Sequence, residues 1–402
     1  MRILYISSYY KPAYIYGGPA KSISTMCEAL VRQGAQVTLL TTNANGGNPL
    51  DVPLEQPVDV EGVTVYYYPI ARSLPHTFFY SPALARACEE MIEAHDIVVL
   101  ETFFTHPTSP AVKACLKLGK PYIIPPRGQL LPWAMHHKRF KKQIYMVILG
   151  RRYLNFAAGL QCTDLVEQGA VEKLRLKAPP FIVPNGLDTS HWKTLPARGT
   201  FRKQTGIPEN HRILLMLGRL HRVKNPDLAV DMLGLLEGNN VHLVFAGPDE
   251  EGYRTQLQAR ASELSCAERV HFTGLLSGDP LLQVMADADL FIMPSAMESF
   301  GMAAVEAMAC GLPVLLSENV PVGKWVEEAG AGRHVACTPE AFAKACNEIL
   351  RDGSALKEMG KIARVLAFQR FDINIIAKQM LAQLQAIHSS GIPLLDLQLV
   401  KA

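Results

Sequence analysis

A chain of 402 residues, 49% hydrophobic and 19% charged, has the balance of a globular protein and the length for about two domains, each with its own core. Its net charge of +3 is too small to suggest nucleic acid as a partner, and no apolar run approaches the roughly eighteen residues needed to cross a bilayer. The eight cysteines are scattered without a C-x-x-C pair, which argues against a disulfide framework or a zinc site and for reduced thiols.

In chain order, Met1-Arg2-Ile3-Leu4-Tyr5-Ile6-Ser7-Ser8 reads as a short strand; polar residues arrive too early for a signal-peptide core, so a cytoplasmic setting is expected. Gly17-Gly18-Pro19 marks a loop, a helix is expected over residues 20–33 with Gly34 as its stop, and residues 37–41 form the next strand. Near residue 140, Arg139, Lys141 and Lys142 follow Lys138 and are interleaved with apolar residues; this is either an ordinary solvated helix face or a surface for anionic lipid headgroups. Phe181-Ile182-Val183 leads into Pro184-Asn185-Gly186-Leu187-Asp188, and residues 190–205, with Pro196, Arg198 and Gly199, read as a linker. The pattern then restarts: a strand at residues 212–217, Gly218-Arg219, a helix over 226–236 and a strand at 241–247. Each half is a β-loop-α-β unit, which implies parallel sheets with right-handed crossovers.

Near the C-terminal end, Leu290-Phe291-Ile292-Met293-Pro294 is an apolar run closed by a breaker, as in a buried parallel strand. Glu298-Ser299-Phe300-Gly301-Met302 follows, then the helix-forming run 303–309, the stop Gly311 and Pro313, and the strand 314–316. Glu298 therefore belongs at a strand's carboxyl end, where open α/β sheets place ligands, and Gly301 at a helix N-terminus, which attracts anions. Glu306, about two turns into the helix, can point back toward the same crevice. The plainer reading of the two glutamates is a dipole partner and a solvated helix residue. Likewise, Arg219 and Lys224 suit a pyrophosphate, yet basic residues on loops are commonly just solvated. Asp287-Ala288-Asp289 has the spacing of a metal-binding D-x-D but lies at a helix-to-strand junction, so a structural role is expected of it.

The run Glu298 to Val314 resembles the E-x7-E signature of retaining glycosyltransferases with the GT-B fold (glycosyltransferase family 4, group 1), and Gly218-Arg219-Leu220 with Lys224-Asn225 resembles the same family's G-R-L-x-x-x-K segment. The resemblance implies an α/β architecture of two Rossmann-like domains facing across a cleft. Residues 1–190 would take the acceptor, 191–372 the nucleotide sugar, and 373–402 would supply a helix returning to the first domain, with a tail. It implies transfer of a hexosyl unit from a nucleoside diphosphate sugar to a glycan, lipid-linked or small glycoside acceptor, with retention and without a metal. Arg219 and Lys224 would hold the diphosphate with the N–H groups near Phe300, Gly301 and Met302. Glu306 would hold the ribose, and Glu298 the transferred sugar. Gly17 and Gly18 would form the glycine-rich first loop, while the base would lie near Gly247, Gly274 and Leu275. Here the chain departs from the family in one place: Val99 and Glu101 stand where two histidines are usual. His106 then either replaces the missing sugar contact or is a loop residue. Arg127, in a P-R-G-x-L segment, either binds a phosphate or makes a structural salt bridge. The catalytic candidates are Glu298, Arg219, Lys224 and His106, and no cofactor is expected. Contact with the inner face of a membrane through the basic residues belongs to the same reading. The alternatives are a nucleotide-sugar epimerase on this architecture and a non-catalytic homologue.

Overall fold

The computed structural model describes residues 1–71, 78–136, 139–249 and 251–391. The chain divides into two units, Met1–Gly186 with the segment from Ile373 onward, and Leu187–Asp372.

The first unit is built on an eight-stranded sheet in the order β3-β4-β2-β1-β5-β6-β7-β8. Its strands are β1 (Arg2–Ile6), β2 (Gln36–Thr42), β3 (Pro57–Val60), β4 (Val63–Tyr68), β5 (Ile97–Leu100), β6 (Tyr122–Ile124), β7 (Gly159–Cys162) and β8 (Pro180–Ile182). All neighbouring pairs are parallel except β3–β4. The central strand β5, Ile-Val-Val-Leu, is buried throughout, as a parallel strand covered on both faces requires. One covering helix is Gly18–Arg32, which buries Ile23, Met26, Cys27 and Leu30 at helical spacing. The helix Ile373–Ser390 shares that core through Ile376, Met380, Leu384 and Ile387.

The second unit carries a six-stranded sheet in the order β11-β10-β9-β12-β13-β14. It comprises β9 (Arg212–Leu217), β10 (Val241–Ala246), β11 (Val270–Gly274), β12 (Leu290–Met293), β13 (Val314–Ser317) and β14 (Gly332–Val335), all parallel. In both sheets the first strand of the unit sits centrally, and the chain winds outward on one side and then on the other. The winding reverses between β1 and β5, and between β9 and β12. These are the two points where such sheets place ligands.

Residues 190–205 are not a free linker. Trp192 and Phe201 are buried in the second core, and Thr200–Thr205 is helical. That helix is fastened by the Asp287-Ala288-Asp289 triplet. Asp287 accepts from the Arg202 and Gly199 N–H groups, while Asp289 accepts from Arg198 (2.7 Å), Arg202 (2.9 Å), Arg212 (3.1 Å) and the Ile213 N–H (2.9 Å). Both carboxylates are therefore committed to the fold.

Candidate functional site

In the second unit, the loops at the carboxyl ends of β9, β10, β11 and β12 gather the donor-side candidates on one edge of the sheet. β9 ends in Gly218, whose φ of 141° is open to glycine, and β10 ends in Gly247. A Cβ on Gly247 would lie 1.9 Å from the Gly218 carbonyl oxygen, so the two backbones can pass this closely only without a side chain. Beyond Gly218, Arg219 is exposed and Leu220 buried. The short turn Arg222–Lys224 is capped by His221, whose Nδ1 accepts from the Val223 N–H (3.1 Å), and it ends at Asn225 in the left-handed region, φ 56°. The chain then enters the helix Pro226–Leu235.

This turn aims Lys224 at the loop after β12, where its Nζ pairs with the Glu298 carboxylate. The same two loops are tied by the Ala296 N–H donating to the Val223 carbonyl (3.0 Å). Glu298 and Lys224 thus stand on the two sides of the point where the strand order reverses. Both side chains keep some exposure, 13% and 27%. Glu298 also accepts from the Ser299 N–H (3.2 Å).

The helix Met302–Ala309 begins at Gly301, whose φ is 108°, and a Cβ there would press on Val320 Cγ1 at 2.8 Å and Val322 Cγ1 at 3.0 Å. Ala304 and Val305 donate to the Gly301 carbonyl at 3.0 and 3.3 Å. Met302 and Glu306 are half-buried on this helix. The Phe300 ring is turned inward against Trp325 and Phe371, so what Phe300 can offer a ligand is its backbone. Gly274 closes β11 and Leu275 beyond it is 75% exposed. Chemically, this edge offers cations, a helix N-terminus and carboxylates, which suits an anionic leaving group bearing hydroxylated parts.

In the first unit, Glu101 closes β5 at the reversal point, its N–H donating to the Ile6 carbonyl (2.9 Å). Its carboxylate is buried and holds Arg127 by both oxygens: Nε to Oε2 at 3.1 Å and Nη2 to Oε1 at 2.8 Å. The remaining Arg127 terminal nitrogen donates to Asn185 Oδ1 (2.6 Å). Burial disfavours the guanidinium charge, but the Glu101 carboxylate and its hydrogen bonds outweigh this and push the Arg127 pKa up. Arg127 thus makes a buried salt bridge with Glu101. Next to it, Glu167 accepts from the Gly128 and Thr163 N–H groups. Burial raises its pKa, against the opposing effect of those N–H donors.

His106 is not joined to this pair. Its ring packs edge-on against Tyr80 (4.6 Å) and beside Phe78 (5.8 Å), and Nδ1 accepts from the Ser81 N–H at 3.4 Å. Burial holds its pKa below the usual histidine value, with Lys113 adding to the effect. Gly17 and Gly18 are exposed at the start of the helix Gly18–Arg32, beside a stacked pair, Tyr9 and Tyr16, at 4.5 Å.

Several residues of this edge escape the sequence reading. Ser8 Oγ, Thr102 Oγ1 and Thr105 Oγ1 form a hydroxyl cluster (2.9 and 2.6 Å) at the ends of β1 and β5. Thr102 is a β-branched residue at φ 58°, a costly conformation of the sort found at functional sites. Asn185 is the second partner of Arg127. Only the Pro184-Asn185-Gly186 string hints at it. Of the basic run, Lys138 lies outside the described residues. Arg139 and Lys141 are exposed, whereas Lys142 donates to the Ala134 carbonyl (2.7 Å) and lies over the Phe104 ring, and so serves the fold.

Two Rossmann-like domains, with cations and a helix start gathered at a sheet's carboxyl edge, define the class of a GT-B glycosyltransferase. Residues 17–186 match the glycosyl transferase 4-like domain and residues 197–366 the glycosyl transferases group 1 family, so the chain joins these two glycosyltransferase domains in tandem. It is 24% identical to an uncharacterized glycosyltransferase of Methanocaldococcus jannaschii over 94% of this chain and 96% of that protein. A D-inositol 3-phosphate glycosyltransferase of Mycolicibacterium gilvum is 36% identical, over 42% of this chain and 38% of its own length. Among solved structures, HepE of Anabaena in complex with UDP and glucose has a TM-score of 0.75 at 23% identity, covering 96% of this chain and all of that one. WaaG, a glycosyltransferase involved in lipopolysaccharide biosynthesis, has a TM-score of 0.65 at 18% identity, covering 94% of this chain and 98% of its own. Both structural likenesses concern the fold.

Proposed function

We propose that this glycosyltransferase moves a hexosyl unit, with retention of anomeric configuration, from a nucleoside diphosphate sugar to a glycan, lipid-linked or small glycoside acceptor of cell-surface polysaccharide or glycoconjugate assembly. The observation that carries this is the Lys224–Glu298 pair at the strand-order reversal of the second sheet. A cation held there lies where a departing diphosphate would need charge, and a carboxylate beside it where a sugar hydroxyl would need an acceptor. Arg219 adds a second, planar cation, and the helix starting at Met302 adds N–H groups. Glu306 on that helix takes the ribose hydroxyls. With such donors the leaving group needs no divalent ion, so no metal enters the reaction. Glu298 is then a sugar contact and not half of an acid–base pair, because its near neighbour is an ammonium group and not a second carboxylate.

In the first unit, Glu101 and Arg127 neutralise each other, so the acceptor is recognised by neutral groups: the hydroxyl of Thr105, backed by the buried Ser8 and Thr102, and the ring of His106. The enzyme works in the cytoplasm, against the inner face of the membrane, with Arg139 and Lys141 toward the headgroups.

A thermal-shift panel of UDP, GDP and ADP sugars tests the donor, since a ligand bound to the folded state raises the apparent melting temperature. A shift with one nucleotide identifies it; no shift with any at saturation ends the reading. Proton NMR of the first product then reads retention, and full activity in excess EDTA is expected.

A further inference from the structure

The chain from Arg139 to Phe156 runs through the helices Arg139–Tyr145 and Arg151–Phe156, joined by the π-helical segment Met146–Gly150. Its orientation is fixed by one face: Tyr145, Met146 and Leu149 pack against the first core, and Tyr153 and Leu154 are part of it. Tyr145 also donates to the Phe103 carbonyl (3.1 Å). The opposite face carries Phe140, Ile144, Val147 and Ile148 at helical spacing, and they are 81, 58, 85 and 65% exposed. An apolar stripe of this kind, turned to solvent and not to the core, calls for a partner.

Charge identifies the partner. Arg139, Lys141, Arg151 and Arg152 are exposed on the same segment. No Asp or Glu occurs between Glu101 and Asp164, while ten Lys and Arg do. A second copy of this surface would bring cations against cations with no local carboxylate to pair them. An anionic bilayer offers both what the stripe and what its cations need.

We infer that residues 139–156 form a docking surface that inserts Phe140, Ile144, Val147 and Ile148 below the headgroups of an anionic membrane, with the flanking cations at the phosphate level. This deepens the membrane part of the proposed function and rests on it only for the biological setting. Headgroup attraction alone would leave the stripe in water, whereas insertion removes it.

The test is flotation of the full-length protein with vesicles of phosphatidylcholine alone, or with roughly 30% phosphatidylglycerol, in low and high salt. Binding to the anionic vesicles is expected, and the Phe140→Ser, Val147→Ser variant should partition about tenfold more weakly at an unchanged melting temperature. Brominated acyl chains should quench Trp133, which is 42% exposed on the preceding helix Pro132–His136 while Trp192 and Trp325 are buried, and the signal should vanish in Trp133→Phe. Unbound wild type, or a serine variant that floats as well as wild type, overturns the inference. So does a dimer that the serine variant splits and no vesicle captures. None of these readouts uses a sugar nucleotide, so failure here leaves the donor panel standing, and the reverse.

Discussion

Lys224 on the turn after β9 is paired with Glu298 on the loop after β12, so a cation and a carboxylate face each other where the second sheet reverses its strand order. Under the proposed function, a donor diphosphate would compete with Glu298 for the Lys224 ammonium group and leave the carboxylate to a sugar hydroxyl.

Lys224→Ala should therefore lower kcat/KM by about a hundredfold or more, since a single preorganised donor is worth that much to a charged transition state. The side chain is partly exposed, so the fold should persist, as circular dichroism will check. Turnover near that of wild type would refute the diphosphate role.

Glu101→Gln should cost about 3 kcal/mol or more, because it strands the buried Arg127 guanidinium without its carboxylate. Adding Arg127→Gln should restore much of the loss. Urea titration of the two single variants and the double variant reads the coupling; simple additivity would mean that the pair is not the source of the cost.

Acid should weaken the second unit through a histidine ladder. His211 Nδ1 and His242 Nε2 lie 2.9 Å apart, as do His242 Nδ1 and His271 Nε2, so both nitrogens of the middle ring face a nitrogen of another histidine. Burial, with the neighbouring histidines, holds His242 down to about 4. The unfolded chain binds a proton there near pH 6.5. The stability tied to the neutral ring is thus complete above that pH and is lost as pH falls toward 4. His271 and His106 are shifted in the same sense. His242→Gln keeps a donor and an acceptor and should flatten the slope in that window; an unchanged slope would remove the ladder as a cause.

Gly247→Ala forces a methyl to within 1.9 Å of the Gly218 carbonyl oxygen, and a destabilisation of about 3 kcal/mol is expected. Gly169→Ala, with open space around its helical backbone, is the control and should be neutral or slightly stabilising. Equal melting temperatures for the two variants would contradict the close approach.

The two-unit α/β plan is legible in the sequence because each half announces itself with a short apolar strand, a glycine loop and a helix of clear periodicity. The donor-side strings are legible for a related reason: they follow strand ends directly, so chain order alone carries them to one edge. What is hidden depends on distance in the chain. Arg127 finds its partners in Glu101 and Asn185, on loops after two other strands. Residues 190–205 have the composition of a linker, yet Trp192 and Phe201 anchor them in a core that forms mostly from later strands. Phe300 stands inside a loop motif, but its ring belongs to Trp325 and Phe371. The stripe from Phe140 to Ile148 reads as any amphipathic helix would, and only the fold tells which face is outward.

The Glu101–Arg127 pair also constrains how this protein can change over time. Neither residue can drift alone, since each single replacement passes through a destabilised intermediate; the two must be inherited or exchanged as one unit. A histidine placed at position 101 would leave the buried Arg127 guanidinium without its carboxylate, so the arginine would have to change in the same stroke.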